Sequence, residues 1–197
     1  MAVAALCLLT ALGAAAEQPG PSTPANDFEL LPPAKTPEAT ELSRQREVED
    51  AIARRRLLLT AHQAVGLGML AGLATTVVLG QLNYQDKYGG GGDTGRWYGA
   101  HTDAALVTTV LFATAGTLAL LAPNPVEKKN RLDSTTLHKT FMGIAAAGFV
   151  AEIVLGVLTA SREGQISQRD LALAHQIVGY TTLTSAAAGF GILTTNF

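Results

Sequence analysis

The chain has 197 residues, 48% of them hydrophobic and only 15% charged, and its mean hydropathy is positive. That is too apolar for an ordinary soluble domain, and the apolar residues come in blocks. The formal net charge is −2, with Lys and Arg gathered in short clusters and not in a basic stripe interleaved with aromatics, so nucleic-acid binding has no support.

Residues 1–16, MAVAALCLLTALGAAA, form a short apolar stretch ending in an A-x-A pattern before Glu17. They resemble a secretory signal peptide, although the customary positive residue near the start is missing. The single cysteine, Cys7, lies in this leader. Its removal would leave no cysteine for disulfides, thiolate metal sites, iron–sulfur clusters or covalent C-x-x-C-H haem attachment. Residues 17–36 are polar and Pro-rich, which predicts a linker without fixed structure. From Thr36 the pattern changes: Thr36 can cap a helix with Pro37 at its first position. Residues 37–56, PEATELSRQREVEDAIARRR, then carry charge on nearly every face. They predict a charged amphipathic helix leading into the membrane; a docking helix for a partner is the alternative.

Residues 57–197 hold four apolar runs. Leu57–Leu82, Ala104–Ala122 and Leu171–Thr195 contain no charged side chain, and Thr140–Ala160 contains one, Glu152. About 20 apolar residues cross a hydrocarbon core about 30 Å thick. The runs are rich in Gly, Ala, Thr and Ser, which let helices approach closely in lipid. The fold expected is all-α, a transmembrane four-helix bundle. Two orientation signals oppose each other. A cleaved leader puts residues 17–56 outside the cytoplasm, as in a bacterial inner-membrane protein. Yet ten of the fourteen Lys and Arg residues lie on that same side, and positive charge favours the cytoplasm.

Each run carries one histidine near its start: His62, His101, His138 and His175, at separations of 39, 37 and 37 residues. Ionisable groups inside a membrane are costly and mark function. Because successive spans run in opposite directions, His62 and His138 share one depth, and His101 and His175 the other. Alternate helices are diagonal in a bundle, so each pair can face across it and hold a flat iron macrocycle between two imidazoles. A macrocycle needs room beside its ligand, and the position one turn on is small after three of the histidines: Gly66, Ala105 and Gly179, with Met142 and then Gly143 after His138. Fourteen residues beyond each histidine, about 21 Å along the helix and within about 40° of the same face, stand Thr76, Ala115, Glu152 and Gly189. These should approach the other pair. Glu152 is the one carboxylate among them. It is a candidate acceptor for the second N–H of a metal-bound imidazole, or a proton relay; the alternative is a neutral carboxyl bonded to a Thr or to backbone.

Other readings of the histidines are interfacial hydrogen bonding, a zinc or copper site completed by Asp103 or Glu152, and a transporter relay. Four consecutive spans with one histidine each, together with the two H-Q-x-V-G phrases at His62 and His175, resemble the core of the cytochrome b561 family over Leu57–Phe197, about 70% of the chain. The resemblance implies two non-covalent haems b, one between His62 and His138 and one between His101 and His175, and electron transfer across a bilayer. Six-span members have one more helix on each side of this core, and no counterpart of an ascorbate site is found. With both axial positions filled, one-electron transfer is expected and not oxygenation. Arg54–Arg56 and Lys139 are candidate partners for the propionates of the first haem and Arg96 and Arg169 for those of the second, or else topology and headgroup residues. Trp97 and Tyr98 fit an interfacial aromatic belt, and Tyr180 lies near the second pair. The loop YQDKYGGGGDTGRWYG lacks the G-K-[ST] ending of a phosphate loop. It reads as a flexible connection, or as a surface that closes on a quinol or a redox protein. The expected partners are lipid, a redox donor and acceptor, and a second copy or a larger respiratory complex. The functions left open are a di-haem cytochrome, a haem-bearing quinone-reactive anchor subunit, and a non-redox transporter or scaffold.

Overall fold

The structure, a computed structural model, describes residues 36–125 and 133–194. The expected leader over 1–16 and the linker over 17–36, apart from Thr36, lie outside the described residues. Four helices account for nearly all of the rest: α1 (Pro37–Tyr88), α2 (Tyr98–Leu121), α3 (Ser134–Ser161) and α4 (Ser167–Thr194). Among the described residues there is no strand. At the start of α1 the Thr36 hydroxyl accepts the Ala39 N–H at 3.3 Å, the cap its sequence suggests. The charged segment and the first apolar run are one helix of 52 residues, with no break at Leu57. Nothing between them stops a helix, since Gly and Pro are both absent from Glu38 to Val65.

Helices α2, α3 and α4 have 24, 28 and 28 residues. At 1.5 Å per residue each exceeds the thickness of a hydrocarbon core. All four helices are long and apolar enough to cross a membrane. Their outward faces carry exposed Leu106, Val110, Leu120, Val150 and Val157, a surface that water would penalise and lipid would not. Threonines in these helices turn their hydroxyls onto the carbonyl one turn back, as in Thr109 to Ala105, Thr117 to Ala113 and Thr181 to Ile177, at 2.8–2.9 Å. These donors are satisfied inside their own helix, as an apolar solvent requires.

Small residues bring the helices together in two hairpins. In the first, a Cβ added to Gly72 of α1 would lie 2.7 Å from the hydroxyl of Thr108 on α2. In the second, a Cβ on Gly148 of α3 would collide with the hydroxyl of Thr182 on α4. Both threonines are 1% exposed. The two hairpins join through a stack of Phe112 and Phe149, centroids 4.1 Å apart, linking α2 to α3, and through Gln81 of α1 with Gln176 of α4. The order around the bundle is therefore α1, α2, α3, α4, which leaves α1/α3 and α2/α4 on the diagonals. Met69, Leu73, Ala145, Phe149 and Ala186 form the buried centre.

The hairpins repeat one pattern. His62, Gly72, Thr76 and Gly80 of α1 recur 76 residues later as His138, Gly148, Glu152 and Gly156 of α3. His101, Thr108 and Ala115 of α2 recur 74 residues later as His175, Thr182 and Gly189 of α4. The segments GLATTVVLG and GFVAEIVLG are the most similar part of this internal repeat.

The loop between α1 and α2 is bound, not slack. Asp86, 5% exposed, accepts hydrogen bonds from the Thr94 hydroxyl at 2.9 and 3.0 Å and from the Gly95 N–H at 2.9 Å. The glycines let the chain curl back over that carboxylate, with Gly90 and Gly92 at φ of 89° and 91°. At the other end of the bundle, Arg55 donates to the Pro123 carbonyl and the Asn124 side chain, both at 2.6 Å, tying α1 to the chain leaving α2.

Close approach of α3 and α4 depends on Gly148. Gly148→Ala is expected to destabilise the folded protein by about 1–3 kcal/mol through overpacking, read as a lower midpoint of thermal unfolding in detergent. Adding Thr182→Ala should recover part of the loss, because the hydroxyl that clashes is then gone.

Candidate functional site

A histidine in an apolar helix must find a partner for each ring nitrogen or pay for its burial. His62, His101, His138 and His175 are all half-buried and all point into the bundle. Their rings meet in the pairs that antiparallel geometry predicts. His62 and His138 have ring centroids 6.3 Å apart at an interplanar angle of 87°. His101 and His175 are 6.1 Å apart at 79°. Each pair spans one diagonal, joining a helix of one hairpin to a helix of the other.

In three of the four rings the second nitrogen is held by a carbonyl of its own hairpin. His62 Nδ1 lies 2.9 Å from the Ala115 carbonyl, His101 Nδ1 3.0 Å from the Thr76 carbonyl, and His138 Nδ1 2.8 Å from the Gly189 carbonyl. A carbonyl only accepts, so each of these Nδ1 atoms donates, and the tautomer leaves Nε2 as the atom offered to a metal. His175 differs. Its Nδ1 is 3.1 Å from Oε2 of Glu152, in close contact but off the N–H axis, so the pair is not an aligned hydrogen bond. The other carboxyl oxygen, Oε1, is buried without a hydrogen-bond partner among the described residues.

Thr76, Ala115, Glu152 and Gly189 are the four positions found fourteen residues beyond a histidine. The structure brings each to the neighbouring helix's histidine, and three act through the backbone. Two further glycines make this contact possible, each eighteen residues, or five full turns, beyond the histidine of its own helix. A Cβ on Gly80 would lie 3.0 Å from Cε1 of His101, and one on Gly156 would lie 3.5 Å from Cε1 of His175. Gly80 is one turn beyond Thr76, so its missing side chain opens the Thr76 carbonyl to the imidazole. The repeat GLATTVVLG/GFVAEIVLG is the signal that finds this pair.

Gly66 and Gly179 divide. A Cβ on Gly66 would meet nothing within 4 Å, whereas one on Gly179 would lie 3.3 Å from Oε2 of Glu152. Gly179 thus makes room for the carboxyl of Glu152, while Gly66 borders open space on the His62 side. Asp103 is exposed. Among the described residues no three His, Cys, Asp or Glu side chains converge, and the histidines come in twos. Tyr180 turns its hydroxyl to Gln81. Arg55 is engaged by the loop after α2, and Arg96 lies over the Trp97 ring at 5.0 Å.

Two imidazoles bound in line to one metal, with nitrogen–metal bonds of about 2.0–2.1 Å, have ring centres roughly 6.3–6.6 Å apart. Both pairs come within a few tenths of an ångström of that spacing. The residues therefore suit two axial bis-imidazole sites, one at each depth. Gly80→Leu should push the His101 ring off the Thr76 carbonyl. The expected result is a displaced Nδ1–H resonance for His101 in nitrogen-15 spectra with that of His62 unmoved; an unchanged His101 signal would place the ring elsewhere. Comparisons of the chain with known protein families, with curated proteins and with solved structures find no match.

Proposed function

We propose that this chain is a di-haem b-type membrane cytochrome that carries single electrons between the two faces of a bilayer. One observation carries the reading: two opposed histidine pairs in an apolar bundle, each with the ring-centre spacing of axial ligation and with Nδ1 already hydrogen-bonded in three of the four rings. The resemblance to the cytochrome b561 family rests on this same pattern of histidines.

His62 and His138 would hold one haem, and His101 and His175 the other. A bound haem b supplies reversible one-electron exchange, and with imidazole on both faces it has no position open to oxygen. The chain's own part is to keep four rings in a fixed tautomer and orientation. The carbonyls of Ala115, Thr76 and Gly189 do this for three of them, and Glu152 faces the fourth. The apolar faces keep water away from both levels. Arg54, Arg56 and Lys139, exposed near the first pair, and Arg169 near the second are the cations left for propionates.

A pyridine haemochrome assay on the purified chain should find about two haems b per polypeptide. His101→Ala should remove one and leave the His62/His138 spectrum intact. A colourless preparation would favour a transporter or scaffold, and loss of both haems in the variant would contradict independent pairs.

A second reading, a haem-bearing subunit that exchanges electrons with quinone, is favoured by one feature. Gln81, Gln176 and Tyr180 form a polar trio between α1 and α4, beside His175, and Tyr180 is 43% exposed on the outer face. Such side chains can receive the oxygens of a quinol arriving from the lipid. On this reading a quinol analogue reduces the protein in detergent, and Tyr180→Phe slows that reduction several-fold; equal rates would remove the trio from consideration.

A further inference from the structure

The internal repeat makes the two histidine pairs nearly equivalent, and it fails at one position that touches a ligand. Thr76 and Glu152 occupy corresponding places in α1 and α3, and each faces a histidine of the partner helix in its hairpin. Thr76 presents its backbone carbonyl, and its hydroxyl turns away to the Gly72 carbonyl and the Thr108 hydroxyl. Glu152 instead presents its side chain, and Oε2 takes the place that a carbonyl oxygen fills at the other three histidines. The surrounding residues make room for that exchange. Gly179 on α4 is buried, and a Cβ there would crowd Oε2. The corresponding residue on α2 is Ala105, which has no carboxyl to accommodate.

We infer that Glu152 is a positioning residue that makes the two haem sites electronically unequal, lowering the reduction potential at the His101/His175 pair so that the His62/His138 pair is reduced first. This rests on the di-haem reading. A carboxylate oxygen 3.1 Å from Nδ1 of His175, even without an aligned hydrogen bond, favours the more positive, oxidised metal electrostatically.

The test is a potentiometric titration of the full chain in detergent at fixed pH, followed by visible spectra and electron paramagnetic resonance. His62→Ala keeps the His101/His175 haem, and His101→Ala keeps the other. The first variant should show the lower potential. Glu152→Gln added to His62→Ala should raise the reduced-to-oxidised ratio at a given potential about tenfold, 59 mV for one electron. Added to His101→Ala, it should change nothing. Should His62→Ala not retain haem, Glu152→Gln is compared with the unmodified chain, where one of two waves should move upward and the other stay. No shift, equal shifts at both sites, or the reverse order of potentials overturns the inference while leaving two bound haems. Absence of haem from the unmodified chain overturns the di-haem reading itself.

Discussion

Three of the four histidines are fastened through Nδ1 to the neighbouring helix of their own hairpin, the fourth has the Glu152 carboxyl at 3.1 Å, and the rest of the site follows from these contacts. An imidazole in an apolar bundle is otherwise free to turn, and a turned ring offers a metal the wrong nitrogen. Three backbone carbonyls and one carboxyl prevent this. Helical carbonyls already accept a bond from within their helix, but a second lone pair remains for a donor that can reach it. Reaching it requires two helix backbones to lie unusually close. Gly72 against Thr108, Gly148 against Thr182 and Gly80 against His101 are where that closeness is achieved.

The same constraint accounts for the composition. A core of Leu and Phe would hold the helices too far apart for these bonds, so the large side chains are mostly turned outward, where lipid can take them. Among the described residues, the aromatic side chains of the central cluster are the stacked Phe112 and Phe149. Threonine serves both requirements, being small at the helix contact and able to satisfy its hydroxyl locally, as Thr76 and Thr182 do.

Four spans, their antiparallel order and the two histidine pairs were all legible in the sequence, because apolar run length and a fixed offset from each helix start determine them. The positions fourteen residues beyond each histidine were legible as well, although three of them contribute backbone, which no side-chain chemistry announces. Gly80 and Gly156 lie five full turns beyond His62 and His138, on the same face, but their role was not legible, since it depends on which carbonyl a facing ring must reach. The Gly-rich loop misled for a related reason. Glycine suggests slackness, but here it lets Thr94 and Gly95 fold onto the buried Asp86. Nor was it legible that the charged segment and the first span are one helix, because amphipathic and apolar stretches differ in composition and not in backbone geometry.

Nδ1 contacts run inside a hairpin, whereas the opposed rings belong to different hairpins. Each hairpin can therefore orient its two imidazoles by itself, yet it owns only half of either socket. Anything gripped between the rings clamps the two halves of the molecule to one another at both ends. On the di-haem proposal, cofactor capture would be the closing event of assembly, and an emptied bundle would be expected to loosen along the seam between α1–α2 and α3–α4 before either hairpin came apart.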